Sequence, residues 1–282
     1  MEIRKVGVVG LGTMGAGIAQ VSVQSGFDTI GREVSPELGE RGRATIERYL
    51  VRAAEKGRLS PDDRDAAVAR LTLTTELTDL ADCDLVIEAV LEELPLKREV
   101  FAELDRVTRP EAILATNTSA LSVSEIAEAT AHPERVVGMH FFNPAPVLPL
   151  VEIVRARESS DEAVDAAYAW AERAGKQPVS CNDTPGFIVN RILIPLLNDC
   201  VRVLDEADVG PEEMDKAMTN GAGWPMGPCA LIDLIGIDVH VHASDALHQK
   251  LGEPRMAPPE RLLQMQHAGT LGRKSGEGFY TY

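Results

Sequence analysis

The sequence predicts a parallel, doubly wound α/β sheet followed by a smaller, all-α domain. Three observations carry this prediction. Short apolar runs recur at 6–9, 27–30, 84–88, 112–115, 135–139 and 150–154, each with the length and apolarity of a buried strand. Helical patterns fall between most of them, at 16–24, 36–56, 61–69, 95–107 and 122–129, and alternating strand and helix builds parallel sheets. From Asp183-Thr184-Pro185-Gly186 onward the text turns helical, over 186–206, 211–220, 227–247 and 258–268.

The first strand, Val6-Gly7-Val8-Val9, leads into Gly10-Leu11-Gly12-Thr13-Met14-Gly15. Gly10 permits the tight turn, Gly12 lets the backbone approach a pyrophosphate, and Gly15 lets the helix pack closely on the strand. Thr13 and Met14 are enclosed by this cradle. A glycine motif that follows a strand and opens a helix has the context of a Rossmann-type dinucleotide site. Such a site also asks for an acidic residue about 20 residues on, and Phe27-Asp28-Thr29-Ile30-Gly31-Arg32-Glu33 supplies Glu33. A carboxylate there accepts from a free ribose and repels a 2′-phosphate, which favours NAD. Arg32 beside it is a guanidinium able to hold that phosphate, so NADP stays open.

The next helix carries Arg41, Arg43, Arg48, Arg52, Lys56 and Arg58 against Glu47 and Glu55. This local excess of cations reads either as a solvated face with i,i+4 pairs or as a site for a polyanionic ligand other than the dinucleotide. Further on, 161–173 reads as a helix and 177–180 as a closing strand. The boundary falls near residue 184, giving domains 1–184 and 185–282. Pro195 inside 186–206 predicts a kink.

The chain of 282 residues has 28 Lys+Arg against 44 Asp+Glu, a net charge of −16. Such a surface is unsuited to nucleic acid or an anionic membrane. No apolar run approaches the ~20 residues of a membrane span, and the N-terminus lacks the apolar core of a signal peptide. Cys83, Cys181, Cys200 and Cys229 are scattered without CxxC spacing. That argues against a metal site or a disulfide framework and for a reducing cytoplasm.

Chemistry is suggested by Gly138-Met139-His140-Phe141-Phe142-Asn143-Pro144 followed by Val151-Glu152. An imidazole titrates near neutrality, and a carboxylate on one ring nitrogen fixes its tautomer and stabilises the imidazolium. A histidine beside two phenylalanines is also compatible with a satisfied core residue. Gly10, Glu33, Glu88, Ser119 and His140 all fall just after apparent strand ends, where ligands of such sheets bind. Ser119 or Ser122 would equally suit as the N-cap of the 122–129 helix. Asn190, inside the apolar run Ile188-Val189-Asn190-Arg191-Ile192, is costly there unless its amide is used.

Taken together, GLGTMGAGIAQ, ATNTSALS at 115–122, GMHFFNPAPVLPLVEIV at 138–154, DTPGFIVNRIL at 183–193, PMGP at 225–228 and LGRKSGEGFY at 271–280 resemble the L-3-hydroxyacyl-CoA dehydrogenases. The resemblance is strongest to the short bacterial 3-hydroxybutyryl-CoA dehydrogenases and spans nearly the whole chain. It implies His140 as catalytic base, Glu152 as its partner, and Ser119 and Asn190 as the groups holding the substrate oxygen. It implies Glu92, Lys97, Asn143 and Lys274 as cofactor contacts, Lys56 as a contact of coenzyme A, and a homodimer formed through the helical domain. The substrate is then an acyl-CoA, chiefly 3-hydroxybutyryl-CoA.

The chain departs from the family pattern at Glu33, where Asp is frequent, at Gly31, where an apolar residue is usual, and at Trp224. A hydroxyisobutyrate-type enzyme would need a catalytic Lys within 186–200, and none is there. A gulonate-dehydrogenase-like enzyme acting on a free hydroxy acid, and a non-catalytic NAD-binding protein, remain the alternatives.

Overall fold

A computed structural model describes residues 2–282. The chain forms two compact units that divide after Thr184. In the first, β1 (Lys5–Val9) is followed by α1 (Thr13–Gln24), β2 (Asp28–Arg32), α2 (Pro36–Glu55), α3 (Pro61–Ala69), β3 (Leu71–Thr74) and β4 (Leu85–Glu88). Then come α4 (Leu94–Val107), β5 (Ile113–Thr116), α5 (Val123–Ala127), β6 (Val136–Phe141), β7 (Leu150–Arg155), α6 (Asp161–Arg173) and β8 (Gln177–Asn182). The eight strands form one sheet in the order β3-β2-β1-β4-β5-β6-β7-β8.

β1 to β6 run parallel, but β7 is antiparallel to β6 and β8 follows β7. The sheet is therefore mixed rather than wholly parallel. Only Phe142–Pro149 joins β6 to β7. A connection that short cannot make a parallel crossover, which needs a dozen or more residues. The central strands β4 and β5 are buried on both faces: Leu85, Val86, Ile87 and Leu114 are all at 0% exposure. Trp170 of α6 fills the space beneath, with its ring centroid 5.7 Å from that of Phe27 and 6.2 Å from that of Phe141.

β3 is a strand that the apolar pattern does not signal. α1 begins at Thr13 rather than at 16, so Gly15 and Gly17 lie inside it. Ser122, not Ser119, caps α5, its hydroxyl accepting from Glu125 N–H.

The second unit is helical: α7 (Val189–Glu206), α8 (Pro211–Gly221), α9 (Pro228–Ile235), α10 (Ile237–Leu251) and α11 (Glu260–Ala268). The segment read as one helix over 227–247 is two, broken at Gly236, whose φ of 100° no helix accommodates. α7 starts at Val189 and continues through Pro195. Leu197, Val201, Ile232, Ile237, Val241 and Leu262 form the main core. Asp233 draws in the C-terminal strap, accepting from Phe279 N, Tyr280 N and Tyr282 Oη at 2.9–3.0 Å. Deeper in, His240 Nε2 lies 2.8 Å from Asn198 Oδ1, and the Asn198 amide donates to main-chain carbonyls of 255–257.

Candidate active site

The glycine turn has the shape its sequence implies. Gly10 has a φ of 87°, in the left-handed region that favours glycine. A Cβ on Gly15 would lie 1.7 Å from the Gly10 carbonyl oxygen, while one on Gly12 would meet nothing within 4 Å. Gly15 therefore serves helix–strand packing, and Gly12 leaves an open approach for a ligand. Gly12 is also the N-cap of α1 and offers no side-chain acceptor to the first turn, which leaves donors of the kind that bind phosphate. The site thus fits a dinucleotide.

At the end of β2, Glu33 Oε1 accepts from Leu11 N–H at 2.6 Å and its Oε2 from Val34 N–H. The carboxylate is thereby fixed beside the glycine turn and keeps further lone pairs for hydroxyl donors. Arg32 is tied elsewhere, its Nε donating to Thr75 O at 3.1 Å. Leu11 occupies the gap left by two missing side chains, since a Cβ on Gly31 would stand 2.8 Å from Leu11 Cδ1 and one on Gly42 2.5 Å from Leu11 Cβ. This accounts for glycine at position 31.

His140 and Glu152 face each other across the antiparallel β6–β7 pair. Directly opposed residues on such a pair bring their side chains together. His140 Nδ1 lies 2.6 Å from Glu152 Oε2, with the two residues at 5% and 0% exposure. The Phe142 ring packs against the imidazole, tilted by 48° with centroids 4.4 Å apart. Asn143 follows, joined to Pro144 by a cis bond. The loop it opens is held by Lys176, whose buried ammonium donates to Ala145 O and Leu148 O.

A second charged cluster lies at the ends of β4 and β5. Lys97 Nζ is 2.6 Å from Glu88 Oε1 and 3.5 Å from Glu92 Oε2, and the Lys97 and Glu88 side chains have no exposed surface. Glu92 Oε1 accepts from Thr118 Oγ1, Ser119 N and Ala120 N. Burial pushes the Glu88 carboxyl above its ordinary range, and Lys97 and Thr116 offset this only in part. Burial also acts on Glu92, but Lys97 and the turn's hydrogen bonds outweigh it, so that carboxyl lies below its ordinary range.

The structure therefore brings together His140 with Glu152, Ser119 with Glu92 and Lys97, and Glu33 with the glycine turn. Lys56 is the exposed C-cap residue of α2. On that helix Arg43 pairs with Glu40 at 3.8 Å, and the Arg48 guanidinium lies over the Tyr49 ring. Asn190 and Lys274 belong to the helical unit, Asn190 in the first turn of α7 and Lys274 with its ammonium 2.5 Å from Asp238. Among the described residues there is no cluster of His, Cys, Asp and Glu able to hold a metal ion. Sequence reading missed Asn117 and Lys176. For Asn117 the signal was a polar pair, Thr116-Asn117, directly after the apolar run 112–115.

Comparison with known proteins agrees with this geometry. Residues 5–184 match the family model for the 3-hydroxyacyl-CoA dehydrogenase NAD binding domain, and 186–282 match the C-terminal domain of the same family. The chain is 46% identical to a 3-hydroxybutyryl-CoA dehydrogenase of Mycobacterium tuberculosis, covering 99% of each chain. It is 45% identical to a probable 3-hydroxybutyryl-CoA dehydrogenase of Deinococcus radiodurans, over 99% of this chain and all of that one. The crystal structure of (S)-3-hydroxybutyryl-CoA dehydrogenase PaaH1 from Ralstonia eutropha superposes with a TM-score of 0.96 at 39% identity, covering 100% of this chain and 99% of that one. With both family domains present in order along a glycine turn and a buried His–Glu pair, the chain belongs to the 3-hydroxyacyl-CoA dehydrogenase family.

Proposed function

We propose that the protein interconverts (S)-3-hydroxybutyryl-CoA and acetoacetyl-CoA with NAD, and that His140 is its general base and acid. The observation that carries the reading is the buried 2.6 Å pairing of His140 Nδ1 with Glu152. It supports a reading in which Nδ1 stays on the carboxylate and Nε2 exchanges the proton with substrate. Bound NAD supplies the hydride acceptor, or in the reverse direction NADH the donor. As the carbinol loses hydride, His140 takes the hydroxyl proton, and Glu152 stabilises the imidazolium that results. In reduction, protonated His140 returns that proton to the developing alkoxide. Ser119 and Asn190 donate hydrogen bonds to the substrate oxygens, which stabilises charge where it develops.

Gly10, Gly12, Thr13, Met14 and Gly15 hold the pyrophosphate, and Glu33 holds the ribose. Glu92, Lys97, Asn143 and Lys274 complete the cofactor contacts, and Lys56 meets a phosphate of coenzyme A, where cations on α2 favour a polyphosphate. The match of full-length relatives to acyl-CoA enzymes favours this reading over a free hydroxy acid.

The helical unit provides a homodimer interface. Its support is the set of apolar side chains exposed there, including Ile192 at 62% and Val239 at 51%, whose removal from water on association is favourable. No helix among the described residues is long and apolar enough to cross a membrane. The four cysteines are free thiols, in keeping with a reducing cytoplasm.

The test is the initial rate of acetoacetyl-CoA reduction with NADH and NADPH in parallel. Turnover that favours NADH by at least about tenfold, the worth of one charge contact at the ribose, and that disappears in His140→Ala, is expected. No turnover with either cofactor despite NADH binding would sink the short-chain acyl-CoA reading.

A further inference from the structure

Three lysine or arginine residues among those described are buried at 9% exposure or less: Lys97, Arg135 and Lys176. Lys97 is paired with Glu88, and Arg135 with Asp105. Lys176 differs: its ammonium donates to two main-chain carbonyls, Ala145 O and Leu148 O, the latter at 3.0 Å. Burial holds its pKa below the ordinary lysine range, and no neighbouring charge offsets that. A cation taken out of water without a counter-ion is costly, so what it holds is informative. It holds the Phe142–Pro149 connection between β6 and β7. The backbone around Lys176 is anchored at both sides, Lys176 N–H donating to Ala171 O of α6 and Gln177 N–H to Pro149 O. Within the connection, Val147 N–H and Leu148 N–H both donate to Pro144 O, which folds 144–148 into a turn that the ammonium closes. The turn also rests on α1, since a Cβ on Gly17 would stand 3.1 Å from Pro146 Cδ and 3.2 Å from Ala145 Cβ. The end of β6 is held separately, Asn117 Oδ1 accepting from Phe141 N–H at 3.1 Å. The first residues whose placement depends on the turn are therefore Phe142, which packs against the His140 ring, and Asn143.

We propose that Lys176 is a positioning residue of the reaction: by clamping the 144–148 turn against α1, it fixes where Phe142 and Asn143 stand relative to the His140 ring. The inference rests on the roles given above to His140 and Asn143. Lys176 acts through main-chain carbonyls, and its charge strengthens both hydrogen bonds in a site that excludes water. A dinucleotide contact three residues after the base serves the reacting end of the cofactor, whereas the glycine turn and Glu33 hold its other parts. Loss of the clamp therefore disturbs the alignment of base, substrate and cofactor, on which rate depends steeply, more than it disturbs cofactor binding.

The experiment compares wild type with Lys176→Met, which keeps the aliphatic stem and removes the donors, and with Gly17→Ala. The second variant crowds the same turn from the α1 side without removing a charge, and so decides the matter should Lys176→Met fold poorly. Expected is a fall in kcat for acetoacetyl-CoA reduction, counted per NADH-binding site, of at least about tenfold in Lys176→Met and about two- to fivefold in Gly17→Ala. The Kd for NADH should stay within about twofold of wild type. Amide hydrogen exchange at Val147 and Leu148 should accelerate in Lys176→Met while that of β4 and β5 stays as it was. Unchanged kcat per site in either folded variant would overturn the inference. So would a Kd for NADH that rises in step with the kcat loss, or exchange that accelerates equally across the sheet, which would make Lys176 a general stabiliser. Wild-type protein inert toward acetoacetyl-CoA would count against the substrate reading alone, and the exchange comparison, which needs no substrate, would still decide the clamp.

Discussion

Two histidines are buried in this protein, one in each unit, and their partners differ. His140 in the sheet, 5% exposed, faces the Glu152 carboxylate at 2.6 Å. His240 in the helical unit, fully buried, faces the neutral Asn198 amide at 2.8 Å, and its Nδ1 has no partner among the described residues. A carboxylate stabilises an imidazolium; an amide oxygen accepts one N–H and offers no compensating charge. Burial accordingly holds His240 down to a pKa of about 4. Burial alone therefore does not make a histidine useful for proton transfer. The partner on its second nitrogen decides whether the ring is equipped to carry charge or kept neutral as a structural post.

The sharpest break of this comparison is removal of the charged pair's ring. His140→Ala should lower kcat by about 10⁴-fold, the upper range for a general acid–base group, with NADH binding by fluorescence unchanged. Retention of most activity would return His140 to the status of a core residue. Glu152→Gln comes next. Its amide N–H₂ facing Nδ1 selects the wrong tautomer, and steady-state assays should show roughly a 10²- to 10³-fold fall in kcat.

For His240 the effect lies in stability rather than rate. Its folded pKa is depressed, so the unfolded chain takes up the proton first as pH falls. Stability is complete above pH 6.5, declines as pH drops from 6.5 toward about 4, and levels off below that, a loss of about 3 kcal/mol from this one group. Denaturant unfolding across that range, wild type against His240→Gln, isolates the component; identical slopes would contradict it. The smallest effect belongs to Ser244→Ala, which removes a hydroxyl 3.2 Å from the Asn198 amide. It should cost about 1 kcal/mol in the same unfolding assay and leave kcat where it was.

The α/β alternation and the helical second half could be read from the sequence because apolar periodicity reports burial directly. Strand direction could not. The apolar run at 150–154 looks the same whichever way β7 runs, and only the short Phe142–Pro149 connection decides it. β3 escaped because Leu71–Thr74 is four residues at a sheet edge, apolar on one face only. The break at Gly236 escaped because apolar spacing continues on both sides of it.

In the site, the residue types at His140 and Glu152 were legible, but their pairing depends on the register of two strands. Lys97 was read through resemblance as a cofactor contact. Its place on the apolar stripe of α4, in step with Val100, Phe101 and Leu104, was the physical sign that it points inward. Lys176 gave no such sign, because its burial is set by a loop from elsewhere in the chain.

The lodging of Leu11 between Gly31 and Gly42 has an evolutionary consequence. Three positions separated by up to 31 residues form one interlocked unit, and the same leucine donates its N–H to the carboxylate of Glu33. A mutational scan taken one position at a time would score Gly42 as intolerant even though glycine has no chemical task there. Permissive paths must re-aim the Leu11 tip before Gly31 can grow and shift or shrink residue 11 before Gly42 can. Any lineage, natural or selected in the laboratory, that drifts toward a different dinucleotide will meet this ratchet first, and the order of its substitutions will record it.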